Sequence, residues 1–192
     1  MTNWCENVIK ITGAKSNLDF LKSKLKDYKD ENVNFMEYVI SLGDIPDNYY
    51  EQGWCNYNVK RFETKWEIPL SELELTIEED SISIIVNSAE DPIVLFLLEL
   101  CKSYNVDATI DYYEPVNDIG GRAEFNSDGT GIQYLYSYME ALYLYANELF
   151  WEEINEMIED KQYEDFEELM EQFEYLSEED KEKIEVLWNE KQ

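Results

Sequence analysis

Residues 81–113 read SISIIVNSAEDPIVLFLLELCKSYNVDATIDYY, and this pattern decides the architecture. Ser81–Val86 is a short run rich in Ile and Val, which predicts a strand. Asp91-Pro92 then predicts a helix start, with Asp as N-cap and Pro at the first helical position. The helix over Ile93–Tyr104 is apolar nearly all round, so it is expected to lie buried against a sheet. Ala108–Tyr113 predicts the next strand. The unit is therefore strand, helix, strand.

Working outward, Asn7–Thr12 alternates, with Val8, Lys10 and Thr12 set against Asn7, Ile9 and Ile11. That is a first strand ended by Gly13. Ser16-Asn17 is an expected N-cap, and Leu18, Leu21 and Leu25 carry a helix to about Asp27. Asp30–Gly53 reads as a long connection with a short strand at Val39–Leu42. Trp54–Trp66 looks extended, with Tyr57, Val59, Phe62, Thr64 and Trp66 as β formers. Gly120-Gly121 reads as a turn. Arg122–Phe125 and Gly131–Tyr136 flank Asn126-Ser-Asp-Gly129, a hairpin signal.

From Tyr138 onward the pattern is helical. Met139, Leu142, Ala146, Leu149, Phe150, Ile154 and Met157 follow three-and-four spacing. Tyr163, Phe166, Leu169, Phe173 and Leu176 form a second stripe. Ser177-Glu-Glu-Asp180 resembles a capping box and opens a helix through Ile184, Leu187 and Trp188. The expected fold class is α+β: an antiparallel βαββαβ sheet with two helices on one face, then an acidic helical extension. The expected boundary separates residues 1–125 from 126–192.

Charge is divided unevenly along the chain. Residues 1–65 hold 10 acids and 9 Lys/Arg, whereas 66–192 hold 34 acids and 6 Lys/Arg, a net of −28. Such a field repels nucleic acid and anionic lipid and attracts basic surfaces. Aromatics make up 15% of the chain, which argues for a folded acidic protein, since disordered acidic tails are poor in them. The chain has no histidine, which removes the usual general base, metal ligand and nucleophile partner. Cys5, Cys55 and Cys101 form no C-x-x-C, so reduced thiols and a cytoplasmic setting are expected. Met1-Thr-Asn-Trp-Cys-Glu lacks the parts of a signal peptide. No apolar run approaches the roughly 20 residues of a membrane span.

The remaining motifs carry little chemistry. Trp4-Cys5 and Trp54-Cys55 read as packed strand starts rather than a paired thiol site. Glu124-x-Asn126-x-Asp128-Gly129 opens like a calcium loop, but Leu135 stands where a bidentate Glu is required, so a hairpin turn is expected. Lys22, Lys24, Lys26 and Lys29 read as a solvated helix face. No phosphate loop, catalytic constellation, metal site or cofactor site is recognisable, and no enzyme is expected.

The acidic helices are different. Glu148, Glu152, Glu156 and Asp160 recur every fourth residue, where like charges cost a helix about 0.2–0.5 kcal/mol per pair. Their rise is about 6 Å, sparser than the roughly 1.7 Å charge spacing of duplex DNA, so several acidic faces together would be needed to imitate one. Glu148, Glu152, Glu156, Glu159, Asp160, Glu164, Glu167, Glu168 and Glu171 are the candidate partner-binding residues.

Four segments also carry a resemblance. Asn3-Trp4-Cys5-Glu6-Asn7 resembles the opening of the YubB-type ferredoxin-like domain proteins of bacteriophages and conjugative plasmids. Asn58, five residues on to Thr64-Lys65-Trp66-Glu67, is similar to that family's Asn…Gly-Thr-Lys-Trp-Asp block. Asn87-Ser88-Ala89-Glu90-Asp91-Pro92 resembles its Ser-Thr-Ala-Trp-Ser-Pro block. Tyr113-Glu114 with Asp118 and Gly120-Gly121 is similar to its Tyr-x-Glu…Gly stretch. Glu63 stands where the family has Gly, and Glu90 where it has Trp. The resemblance covers about residues 3–125 and implies a ferredoxin-like βαββαβ sheet, a mobile-element origin and no established activity.

These observations together favour a non-enzymatic phage or plasmid accessory protein. It would bind and block a basic, nucleic-acid-binding host protein, of an anti-CRISPR or anti-restriction kind, by acidic mimicry. It would contact neither nucleic acid nor membrane directly. An interaction module or oligomeric scaffold joined through Tyr and Trp, and acidic only for solubility, is the alternative. A carboxylate-only metal enzyme is the third reading.

Overall fold

The computed structural model describes residues 3–26, 35, 39, 64, 68, 73–160, 162, 163 and 165–191. They form two compact units, Met1–Tyr138 and Met139–Gln192.

The first unit runs β1 (Trp4–Thr12), α1 (Lys15–Lys26), β2 (Glu74–Ile77), β3 (Ser81–Ala89), α2 (Val94–Tyr104), β4 (Asp107–Glu114), β5 (Ile119–Phe125) and β6 (Gly131–Tyr136). The strands make one antiparallel sheet in the order β2-β3-β1-β4-β5-β6. The alternation in β1 sets the register. Asn7, Ile9 and Ile11 lie opposite Val86, Ile84 and Ile82 on β3 and opposite Tyr112, Ile110 and Ala108 on β4. All nine side chains are buried. Leu18, Leu21 and Leu25 of α1 and Phe96, Leu97 and Leu100 of α2 join the same core. Each such Leu, Ile or Phe contributes about 1.5–3 kcal/mol relative to exposure.

Several local expectations shift. Helix α1 starts at Lys15, and the Ala14 carbonyl accepts from Asn17 N and Leu18 N at 2.9 and 3.1 Å. Ser16-Asn17 is therefore inside the first turn, and the Asn17 amide instead donates to the Asn105 carbonyl, 2.8 Å away. Helix α2 starts at Val94, and Asp91 does not cap it. The cap comes from across the sheet, where Asn7 Oδ1 accepts from Ile93 N at 3.1 Å. Glu90, at φ 73°, turns the chain to allow this. Strand β2, unexpected from the sequence, alternates Leu73, Leu75 and Ile77 toward the core with Glu74 and Thr76 outward. The expected extended segment Trp54–Trp66 lies outside the described residues except for Thr64. Of the expected strand Val39–Leu42 only Val39 is described, and it is helical and buried.

Gly120 and Gly121 lie within β5, not in a turn. A Cβ on Gly121 would come within 2.3 Å of the Tyr134 carbonyl and 2.4 Å of the Tyr112 hydroxyl, so the glycine lets the Tyr112 ring lie against the strand. The hairpin β5–β6 forms at Asn126-Ser-Asp-Gly129. Asn126 N donates to the Thr130 carbonyl at 2.8 Å, and Asp128 Oδ1 accepts from Thr130 N at 2.8 Å. The Asp128 carboxylate of the calcium-loop motif is thus engaged in the turn. Because β6 pairs with β5 through Phe125↔Gly131 to Gly120↔Tyr136, the sheet unit reaches Tyr138 instead of ending at residue 125.

The second unit contains α3 (Tyr138–Tyr145), α4 (Asn147–Glu159), α5 (Phe166–Glu171) and α6 (Glu178–Lys191). Its buried residues include Leu142, Phe150, Ile154, Ile158, Leu169, Phe173, Leu176 and Ile184. The expected continuous stripe from Met139 to Met157 is broken at Ala146, whose φ of −139° and ψ of 57° lie outside the helix. The break resets the phase. Ile158 is buried, while Leu149 is 41% exposed on the outer side. Asp165 caps α5 by accepting from Glu168 N at 2.9 Å. The Ser177 hydroxyl caps α6, accepting from Asp180 N at 3.2 Å, as the sequence predicts.

Candidate functional site

The acidic candidates sit on the second unit. Phe150, Ile154 and Ile158 bury one side of α4, so Glu148, Glu152, Glu156, Glu159 and Asp160 emerge on the other, and all five are exposed. Glu148, Glu152 and Glu156 form one row at helical spacing. Glu159 is paired with Lys191 of α6. Glu167, Glu168 and Glu171 are exposed on the separate helix α5. Glu164 lies outside the described residues. The structure thus presents the row on α4 and the α5 acids as two faces rather than one stripe.

A groove that sequence reading missed lies between α4 and α6. It has a volume of about 540 Å³ and is lined by Trp151, Glu179, Glu182, Lys183, Val186 and Leu187. The four-residue spacing Glu179, Lys183, Leu187 was its only sequence signal, since Trp151 comes from another helix. Asp180 anchors the start of α6. Its carboxylate accepts from the Ser177 hydroxyl at 2.6 Å, from Lys183 at 2.9 Å and from the Tyr143 hydroxyl at 2.9 Å. The Ser177 hydrogen bond, then Lys183 and Tyr143, hold its pKa down at about 2.

Described residues from the four segments that carry the resemblance, Thr64 alone from the second, lie elsewhere, at one end of the sheet. The buried Asn7 amide donates to Ser88 Oγ at 2.8 Å and to the Val86 carbonyl at 3.1 Å. Ser88 Oγ donates to the Asp91 carbonyl at 2.7 Å. Buried Thr64 Oγ1 accepts from Ala89 N at 3.1 Å, and Glu90 N donates to the Asn3 carbonyl at 2.9 Å. Buried Glu114 accepts from Val116 N and Asn117 N, both at 2.9 Å, and so holds the β4–β5 turn. These contacts are architectural, because each buried polar group meets a partner within the fold. A cleft of about 460 Å³ opens beside them, lined by Asp91, Val94, Tyr112, Gln133 and Leu135 among others. Burial, then Glu90 and Glu114, push the Asp91 pKa up.

The two described thiols are buried. Burial drives Cys5 and Cys101 up to about 12, so both are protonated at neutral pH. Cys55 lies outside the described residues, as does Lys29 of the basic patch. Lys22 is not solvated as expected. It is buried and donates to the Glu79 carbonyl at 2.7 Å. Lys24 lies over the Phe20 and Tyr104 rings, 5.8 and 5.9 Å from their centroids. Among the described residues no group of three or more Cys, Asp or Glu is arranged to hold a metal ion, and no helix is long and apolar enough to cross a membrane.

The pKa directions give an expected pH profile. Burial is the first cause raising Glu6, Asp91 and Asp111. An acid with a raised native pKa binds more protons folded than unfolded, so stability increases as pH falls from 7 toward about 5. Asp180 acts oppositely. Its contribution is complete above its ordinary value of 3.8 and is lost as pH falls through that value toward about 2. A thermal midpoint followed by circular dichroism is expected to rise in mild acid and then fall. Asp180→Asn should weaken the low-pH fall. A midpoint that drops steadily from pH 7 would contradict the raised values.

No family model matches the chain, and no curated protein matches it. Among solved structures the chain is similar to the crystal structure of protein api92 from Yersinia pseudotuberculosis, of the DUF1281 family. The identity is 10% and the TM-score 0.47, and the match covers 72% of this chain and 98% of that one.

Proposed function

We propose that the protein is a non-enzymatic accessory protein of a phage or conjugative plasmid, with a ferredoxin-like sheet unit of the YubB type and an acidic helical extension. It acts in the cytoplasm of the infected or plasmid-bearing bacterium. There it binds a basic, nucleic-acid-binding host protein of an anti-phage defence system and blocks its nucleic-acid channel. The observation that carries this reading is the helical unit. Residues 138–192 hold 19 acids against 4 lysines. The described acids of the candidate set point outward from a folded core, so their charge is presented on rigid helices. Fixed carboxylates lose less conformational entropy on binding than those of a disordered tail. The β2-β3-β1-β4 order, with α1 and α2 in one core, supports the ferredoxin-like part.

The test is charge reversal. Glu148, Glu152, Glu156 and Asp160 changed to Lys should abolish capture of the basic partner from bacterial lysate, with the helical circular dichroism retained. Glu74, Asp80 and Glu124, exposed acids of the sheet unit, reversed together should leave capture intact. Capture by the wild type should weaken steeply between low and physiological salt. Full capture by the α4 variant would end this reading. The purified protein is also expected to leave nucleic acids and nucleotides unchanged with Mg²⁺ or Mn²⁺. Turnover lost on mutating a single carboxylate would favour the metal-enzyme alternative.

One observation favours the interaction-module alternative. The sheet face away from α1 and α2 carries the exposed Trp4, Ile85, Ile132 and Tyr134. An interface built on them would persist in high salt.

A further inference from the structure

We propose that the groove between α4 and α6 seats an apolar side chain of a basic amphipathic helix supplied by a partner protein. This rests on the proposed function and names the anchor within it. The Trp151 indole Nε1–H donates to Asn147 Oδ1 at 3.2 Å, so the polar edge of the ring is satisfied within α4. The ring lines the groove together with Val186, 56% exposed, and Leu187. Around this apolar floor the rim is acidic. Glu179 and Glu182 line it from α6.

The structure already holds one cation there. Lys183 Nζ sits 5.8 Å from the Trp151 ring centroid and is paired with Glu179 at 3.2 Å and Asp180 at 2.9 Å. An aromatic face bracketed by carboxylates is therefore occupied by a lysine of the chain itself. A partner's Lys or Arg would find a carboxylate of the same lining at Glu182. Apolar residues at i, i+3 and i+4 with cations on their flanks match an apolar slot with an acidic rim. A second copy of this chain fits poorly, because its own acidic rim would face this one.

The experiment uses the full chain and two synthetic peptides of Leu and Lys with identical composition. One places Leu at i, i+3, i+4 and i+7, and the other scrambles the order. Binding is followed by calorimetry and by the Trp151 indole ¹H–¹⁵N signal, assigned with Trp151→Phe. The patterned peptide should bind about tenfold tighter than the scrambled one and shift that signal. Val186→Gln, an exposed substitution that keeps the helix, should erase the difference. Equal affinity of the two peptides, or a difference that survives Val186→Gln, would overturn the groove. Salt-sensitive capture of the host partner, lost on reversal of the α4 acids, would still leave the proposed function standing. Self-association of the chain abolished by Val186→Gln would place a second copy in the groove and also overturn the inference.

Discussion

Replacing Asn7 with Ala is expected to lower the stability of the sheet unit by about 3 kcal/mol or more. The side chain is fully buried and joins three segments. Its amide reaches Ser88 Oγ and the Val86 carbonyl on β3, and its Oδ1 takes the N–H of Ile93, just ahead of α2. Truncation leaves that N–H without its acceptor at a helix start that has no side-chain cap of its own. Each buried group left unsatisfied costs about 1–3 kcal/mol. Against a total stability of roughly 5–15 kcal/mol for a domain, the loss is large. Urea unfolding should show a lower midpoint at unchanged slope. Asn7→Asp offers a second check. Its carboxylate still accepts from Ile93 N, but at neutral pH it cannot donate to Ser88. Protonation restores a donor, so this variant should recover part of its loss in acid. An Asn7→Ala midpoint within about 0.5 kcal/mol of wild type, the range of ordinary surface changes, would remove the residue from this role.

Phe150→Ala should have a comparable or greater effect on the helical unit. Phe150 is fully buried, and its ring meets Tyr143, Trp151 and Phe173 edge-on at centroid distances of 5.2, 5.3 and 6.1 Å. Removing a buried Phe typically costs about 3–5 kcal/mol, combining lost transfer energy with a cavity. A unit the size of Met139–Gln192 has about 3–8 kcal/mol to lose, at roughly 0.05–0.15 kcal/mol per residue. Crowding of acids on its surface works in the same direction. The variant is therefore expected to lose most of its folded helical population at room temperature. Helical circular dichroism and the dispersion of the Trp151 and Trp188 indole signals would report it. Phe150→Leu keeps most of the volume and should retain the fold with a smaller penalty. A Phe150→Ala variant with wild-type helicity and indole dispersion would show that the core does not depend on this cluster.

What the sequence determined by itself is the set of elements whose signals are local. The alternation of Asn7–Thr12, the β-α-β run of residues 81–113, the Asn126–Gly129 hairpin and the Ser177–Asp180 cap can all be read from neighbours along the chain. Each is present. The outward placement of Glu148, Glu152 and Glu156 was legible too, because helical periodicity places like residues on one face. Strand β2 was also within reach, since Leu73, Leu75 and Ile77 alternate with Glu74 and Thr76, but the aromatic-rich Trp54–Trp66 segment carried the stronger β signal.

Tertiary structure alone decided the rest, because the deciding partners lie far apart in sequence. Asn7 caps the start of α2 across 86 positions, which Asp91-Pro92 alone could not reveal. Gly121 pairs within β5, where the Tyr134 carbonyl and the Tyr112 ring leave no room for a Cβ. Lys22 turns inward because the Glu79 carbonyl is there to accept its ammonium proton. No Gly or Pro marks the break at Ala146, yet it shifts the buried side of α4 from Leu149 to Ile158. The groove combines a tryptophan from α4 with two aliphatic side chains from α6, and only packing of the two helices brings them together. Periodicity constrains one element at a time, whereas a site depends on which elements meet and on the polar and apolar groups each presents there.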